Sequence, residues 1–102
     1  IIAQHQDTTE PQKAAAERGA LSIGYDSDMR KFVGDTVLTS PVWNWGAYYI
    51  KTVQDALDGK WVSHQVWGPM SEGFVELGEL SPKVPQEVRD LVEAEKNKIL
   101  SG

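Results

Sequence analysis

The sequence contains no cysteine. Disulfides, thiolate nucleophiles and cysteine–zinc sites are therefore excluded. Histidine is nearly as scarce: only His5 and His64 occur, far apart and without metal-ligand spacing, so both read as structural or incidental. No apolar run approaches the roughly 20 residues that a membrane-spanning helix needs. Basic charge is thin as well. Ten Lys and Arg stand against fifteen Asp and Glu, for a formal net charge of −5, and no basic run exceeds Arg30-Lys31. Nucleic acid and anionic membrane surfaces both require a concentrated basic face, so neither partner suits this composition. No serine sits in a nucleophile elbow, and no glycine-rich loop is built to cradle a phosphate.

What is present fits one small α/β domain. The chain has 102 residues, enough for a single core but not for two. It opens on "IIAQH", which reads as the interior of a sheet and predicts that the chain is part of something longer. The spacing predicts a strand over Ile1–His5. A helix follows, with Thr9 and Gln12 as a capping box, Pro11 in the first turn and Gly19 as its stop. Further strands are expected over Ala20–Tyr25 and Thr36–Thr39, with a loop that has room for a helical turn over Asp26–Gly34. Ser40 is the expected cap of a long helix with Pro41 in its first turn, Tyr49, Val53, Ala56 and Leu57 on one stripe, and Gly59 at its end. Extended pieces over 61–80 come next, including the alternating "EGFVELGEL". A C-terminal helix over 85–100 closes the chain, with Arg89 and Glu93 as an i,i+4 pair. Alternating strands and helices predict a parallel sheet covered by helices, and such sheets place ligands at the carboxyl ends of their strands.

The carboxylates fall at those ends. Asp7 follows the first strand and Asp26 the second, with Thr8, Thr9, Ser27 and Asp28 beside them. If the two strands are parallel, both acids share one rim. A carboxylate there can accept two hydroxyl protons at once, as the neighbouring hydroxyls of a sugar would present them. The alternative is local: Asp7 shaping a loop and Asp28 capping a short helix. Four tryptophans, Trp43, Trp45, Trp61 and Trp67, crowd the central region with Tyr48 and Tyr49. They are either packing or the wall of a pocket for a flat ligand. The Asp26-Ser-Asp28 spacing matches a phosphatase nucleophile pair, but Arg30 stands where Thr is required. The companion Lys and Thr of a receiver domain are not clearly placed either, and nothing recommends an enzyme.

"GYDSDM", "VLTSPVWNWGAYYIKTVQDALDGKW" and "WGPMSEGFVEL" together resemble the C-terminal part of the basic membrane protein family, the substrate-binding lipoproteins of ABC transporters. The resemblance reaches back to "IIAQHQDTTEPQKAAAERG" and so covers nearly the whole chain. It implies a type I periplasmic-binding-protein fold, of which residues 1–102 would be a single partial domain: a three-layer, parallel-sheet α/β lobe present only as a C-terminal fragment, with 61–80 as crossover strands. It also implies a purine nucleoside or base as ligand, with no cofactor. In that family the acid at the "GxDSD" strand end contacts the ribose, which is the position of Asp26. The loop Gln6-Asp7-Thr8 lines the cleft, and Trp43 and Ser71 complete the expected ligand-binding set. Ser71 in "MSEG" stands where nucleoside-binding members often carry a Lys. The implied partners are the purine-like ligand, an ABC permease, and either the missing N-terminal lobe or a second copy joined through an open sheet edge. The implied location is periplasmic or otherwise extracytoplasmic, with a lipoprotein anchor in the full-length form. The alternative function is the effector-sensing domain of a transcriptional regulator with the same fold.

Overall fold

Two short strands begin the architecture. β1 (Ile2–Ala3) and β2 (Ser22–Ile23) run parallel, with Ile2 opposite Ser22 and Ala3 opposite Ile23. The structure is a computed structural model and describes residues 1–102. The connection between the strands is α1 (Glu10–Glu17), which makes a βαβ unit of the kind the strand–helix alternation predicts. α1 ends in Gly19, whose φ of +67° closes the last turn as its N–H reaches the Ala16 carbonyl at 3.0 Å.

The expected third strand continues the layer, although only as a bridge. Val37 pairs in parallel with Ser22. Around it the Ser22 amide donates to the Thr36 carbonyl at 2.9 Å, Leu38 to Ser22 at 2.8 Å, and Gly24 to Thr39 at 2.9 Å. The same run then becomes β3 (Pro41–Trp43), which pairs antiparallel with β4 (Val75–Leu77), placing Trp43 opposite Val75. The Gly78 amide reaches the Ser40 carbonyl and Ser81 reaches Leu38, both at 2.8 Å, which extends that contact backwards. Residues 36–43 thus lie between a parallel neighbour and an antiparallel one. The sheet is mixed, and the expectation of a purely parallel layer fails at β4.

Three local expectations are corrected. The long helix, α3 (Trp45–Leu57), starts five residues beyond Ser40. Ser40 cannot cap it because its buried hydroxyl accepts the Met29 amide at 3.2 Å, and Pro41 lies in β3. The capping box at α1 does not form. Thr9 begins the helix without a side-chain bond, while Gln12 turns inward, fully buried, and donates to the Ile23 carbonyl at 3.1 Å. On α4 (Gln86–Ser101), Arg89 leaves Glu93 and folds back. It donates to the carbonyls of Val84 at 3.0 Å, Leu80 at 3.4 Å, and Ser81. Three carbonyls in a loop give a guanidinium more directed acceptors than one exposed carboxylate does.

Between β2 and β3 lies one helical turn, α2 (Arg30–Val33). Its N-cap is Met29, which makes no side-chain cap; Asp28, one residue earlier, instead accepts the Arg30 amide at 3.3 Å in a local turn. Arg30 in turn pairs with Glu79 beyond β4 at 2.6 Å, tying the turn to the sheet's antiparallel edge.

Little of the chain is interior. Nine residues are buried, among them Ala15, Met29, Val37 and Val84, but also Gln12, Ser22, Ser40 and Ser81. The radius of gyration is 16.6 Å, against about 13 Å for a compact domain of this length. α3 contributes nothing to that interior. None of its residues is buried, and its expected apolar stripe, Tyr49, Val53 and Leu57 together with Ile50, faces outward.

Candidate functional site at the carboxyl rim of the sheet

The parallel register of β1 and β2 decides which side chains meet. It pairs residue 2 with 22 and 3 with 23. Carried forward, it sets His5 level with Tyr25, Gln6 with Asp26, and Asp7 with Ser27. The rings bear this out: His5 and Tyr25 lie 4.5 Å apart between centroids. Asp7, Thr8 and Ser27 line one open hollow of about 530 Å³, floored by Met29 and Phe32. The loop carrying Thr8 is held by Gln4, whose amide nitrogen donates to the Thr8 carbonyl at 2.7 Å and lies 3.0 Å from the Met29 sulfur.

Asp26 has an uncommon backbone. Its φ is +66°, the single positive value outside glycine in the chain. The Ser27 amide reaches the Tyr25 carbonyl at 2.7 Å across it, closing a three-residue turn. Such a turn with positive φ is rare and strained, and a strained residue at a strand end points to a functional demand on its side chain. The half-buried carboxylate makes no hydrogen bond or ion pair within the protein, so its acceptor sites are free. Asp7, exposed, makes none either.

Trp43 reaches the same rim from the third run. Its indole stands edge-on to the Tyr25 ring at 5.8 Å and 89°. On its other side it lines an apolar hollow of about 410 Å³ with Trp45, Trp67 and Phe74. His5, Tyr25 and Trp43 therefore form an aromatic row along the strand ends, and the Asp26 turn follows Tyr25 in the chain. Gln6 is exposed on the β1 loop. Ser71 lies elsewhere, exposed in the 3₁₀ turn Met70–Glu72 that packs on α4 and β4, with no hydrogen bond to the rim.

Sequence reasoning missed His5 and Tyr25. The signal was the equal offset: each is the last residue before a rim loop, twenty positions apart, as are the paired residues of β1 and β2.

A sequence profile of the family described as PnrA-like ABC-transporter substrate-binding proteins matches residues 1–102. The chain belongs to that family. It is 41% identical over 102 residues to a purine-binding protein of Brucella abortus, covering 100% of this chain and 29% of that one. It is 38% identical over 101 residues to a Haloferax volcanii protein provisionally described as an ABC-transporter glucose-binding protein, covering 99% of this chain and 26% of that one. The chain thus spans under a third of the length of these relatives. A solved structure described as a transcriptional activator of the comK gene from Bacillus halodurans superimposes with a TM-score of 0.74 at 31% identity, over 85% of this chain and 31% of that one.

Proposed function

We propose that this chain forms one wall of the ligand cleft of an extracytoplasmic solute receptor that takes up a purine-like molecule for an ABC permease. The observation that carries the reading is the rim itself. A free carboxylate, Asp26, is held on a strained turn next to Tyr25 and is joined through its backbone to Trp43, two members of an aromatic row. Aromatic faces suit a planar ring, and a carboxylate suits ring N–H groups or paired hydroxyls. Asp7, Thr8 and Gln6 supply further polar contacts from the neighbouring loop, and Ser71 is the remaining candidate. The site binds and releases without catalysing a reaction.

The purine-binding relative supports the base, and the glucose-binding relative supports the hydroxyl contacts; a nucleoside contains both. The aromatic row favours the purine, whose planar ring can stack or pack edge-on against aromatic side chains. On this reading the chain belongs to one three-layer lobe of a type I periplasmic-binding-protein fold. Residues 61–80 run toward a second lobe, and a lipoprotein anchor holds the full-length form outside the membrane. The uncovered stripe of α3 and the open edge of β1 are consistent with further polypeptide packed there.

Calorimetric titration of the full-length receptor with adenine, adenosine and glucose tests the proposal. Binding of adenine or adenosine, lost when Tyr25 and Trp43 are both replaced by Ala, is expected. Binding of glucose alone, or purine binding indifferent to both aromatic positions, would overturn it. The likeness to a transcriptional activator favours one other output, effector sensing, in which the same ligand acts on gene expression rather than on a permease.

A further inference from the structure

Residues 61–67 read Trp-Val-Ser-His-Gln-Val-Trp, the same in both directions except for Ser63 and Gln65. This stretch has an unusual place in the fold. From Lys60 to Pro69 there is no helix, strand, turn or bend. Trp61 is fastened at one end, its amide donating to the Asp55 carbonyl at 3.1 Å. Gly68 is fastened at the other against the Phe74 ring, which a Cβ at that position would overlap. Between these anchors no backbone N–H of residues 62–68 and no carbonyl of residues 61–68 pairs with another backbone group. The one local contact is between the His64 ring and the Val62 carbonyl, at 2.6 Å. The apolar side chains are open to solvent, Val62 at 70% and Trp67 at 91%.

An unpaired backbone carrying alternating side chains is a template for strand addition. What it accepts is set by its sequence. We propose that residues 61–67 form an antiparallel contact with the same residues of a second copy of this chain, about a twofold axis through His64. In that register Trp61 faces Trp67 of the other copy, Val62 faces Val66, and Ser63 faces Gln65, so that aromatic meets aromatic, β-branched meets β-branched and polar meets polar. Cross-strand aromatic and β-branched pairs are among the favourable ones. No charged residue falls within 61–67, so no like-charge pair opposes the contact. An isologous contact closes at two copies and does not propagate. A strand has two edges, so this contact and a run toward a second lobe use different sides of the same segment. The inference does not depend on the ligand reading.

The absence of native cysteine allows a direct test. The twofold places the two copies of residue 64 directly opposite each other, with Cα atoms about 4.5–5.5 Å apart, within disulfide range. The two copies of residue 62 lie four positions out of register, too far to bridge. His64→Cys is expected to give a covalent dimer on mild oxidation at about 100 µM protein, a concentration suited to weak contacts. Val62→Cys alone is expected to stay monomeric, whereas Val62→Cys mixed with Val66→Cys gives the heterodimer. In the cysteine-free protein, His64→Lys sets two like charges face to face and is expected to weaken association at least tenfold in sedimentation equilibrium. Equal cross-linking at positions 62 and 64, or none at 64, would overturn the proposal. A dimer indifferent to His64→Lys would overturn it too.

Discussion

The backbone carbonyl of Asp26 accepts the amide of Trp43 at 3.0 Å. This bond joins the turn after β2 to the end of β3. It fixes the relative positions of a carboxylate and an indole without using either side chain. Both remain available to a third molecule.

The positive φ at Asp26 separates stability from binding. Asp26→Gly relieves the backbone and is expected to leave the unfolding midpoint within about 1 kcal/mol of the parent, whereas Asp26→Val, β-branched, is expected to lose about 1–3 kcal/mol. Both variants should lose ligand. Urea unfolding followed by far-UV circular dichroism, beside calorimetry, checks the pair.

Asp26→Asn keeps the shape and removes the charge. Hydrogen bonds to charged groups are worth about 1.5–3 kcal/mol, so affinity for adenosine should fall about 10- to 150-fold. If the carboxylate serves ribose hydroxyls, affinity for adenine should fall by much less. The ratio of the two dissociation constants is the informative quantity.

Gly24 lies against a wall. A Cβ there would overlap the Ser40 hydroxyl and come within 3.0 Å of the Met29 Cβ. Gly24→Ala is therefore expected to destabilise by about 1–3 kcal/mol, as overpacking does in a closed interior. Loss of the Met29–Ser40 bond should appear as faster amide exchange at Met29.

Arg89 anchors α4 through three loop carbonyls. Arg89→Ala should cost about 1–3 kcal/mol and loosen the first turns of the helix, measurable by hydrogen exchange. Arg89→Lys should recover little, because an ammonium cannot reproduce the planar fork.

Trp43 should report occupancy of the rim. Ligand binding is expected to change tryptophan emission, and Trp43→Phe should remove most of that change. Trp61→Phe, whose indole lies outside both rim hollows, should leave it intact.

Much of the layer was legible because its signals are local. Proline, alanine and glycine placed α1, and the order of strands implied a parallel β1–β2 pair. The start of α3 was not legible. Ser40 and Pro41 carry a helix-start signal, but Leu77, the antiparallel partner 36 positions beyond Pro41, and the Met29 amide claim those residues first. Arg89 was misassigned for the same reason, since its acceptors are backbone carbonyls that no side-chain pattern announces. At the rim the two strand-end acids were visible. The aromatic row was not, because it depends on register, and register is fixed by pairing rather than by composition.

The interior of the chain is small, and half of its named members carry hydroxyl or amide groups. Apolar burial supplies most of what resists unfolding, so such an interior gives little margin by itself. Whatever occupies the rim or covers the outward stripe of α3 adds its binding free energy directly to that margin. The melting temperature of this chain is therefore a measure of the company it keeps, and a thermal-shift screen would find its partners more readily than it would rank its variants.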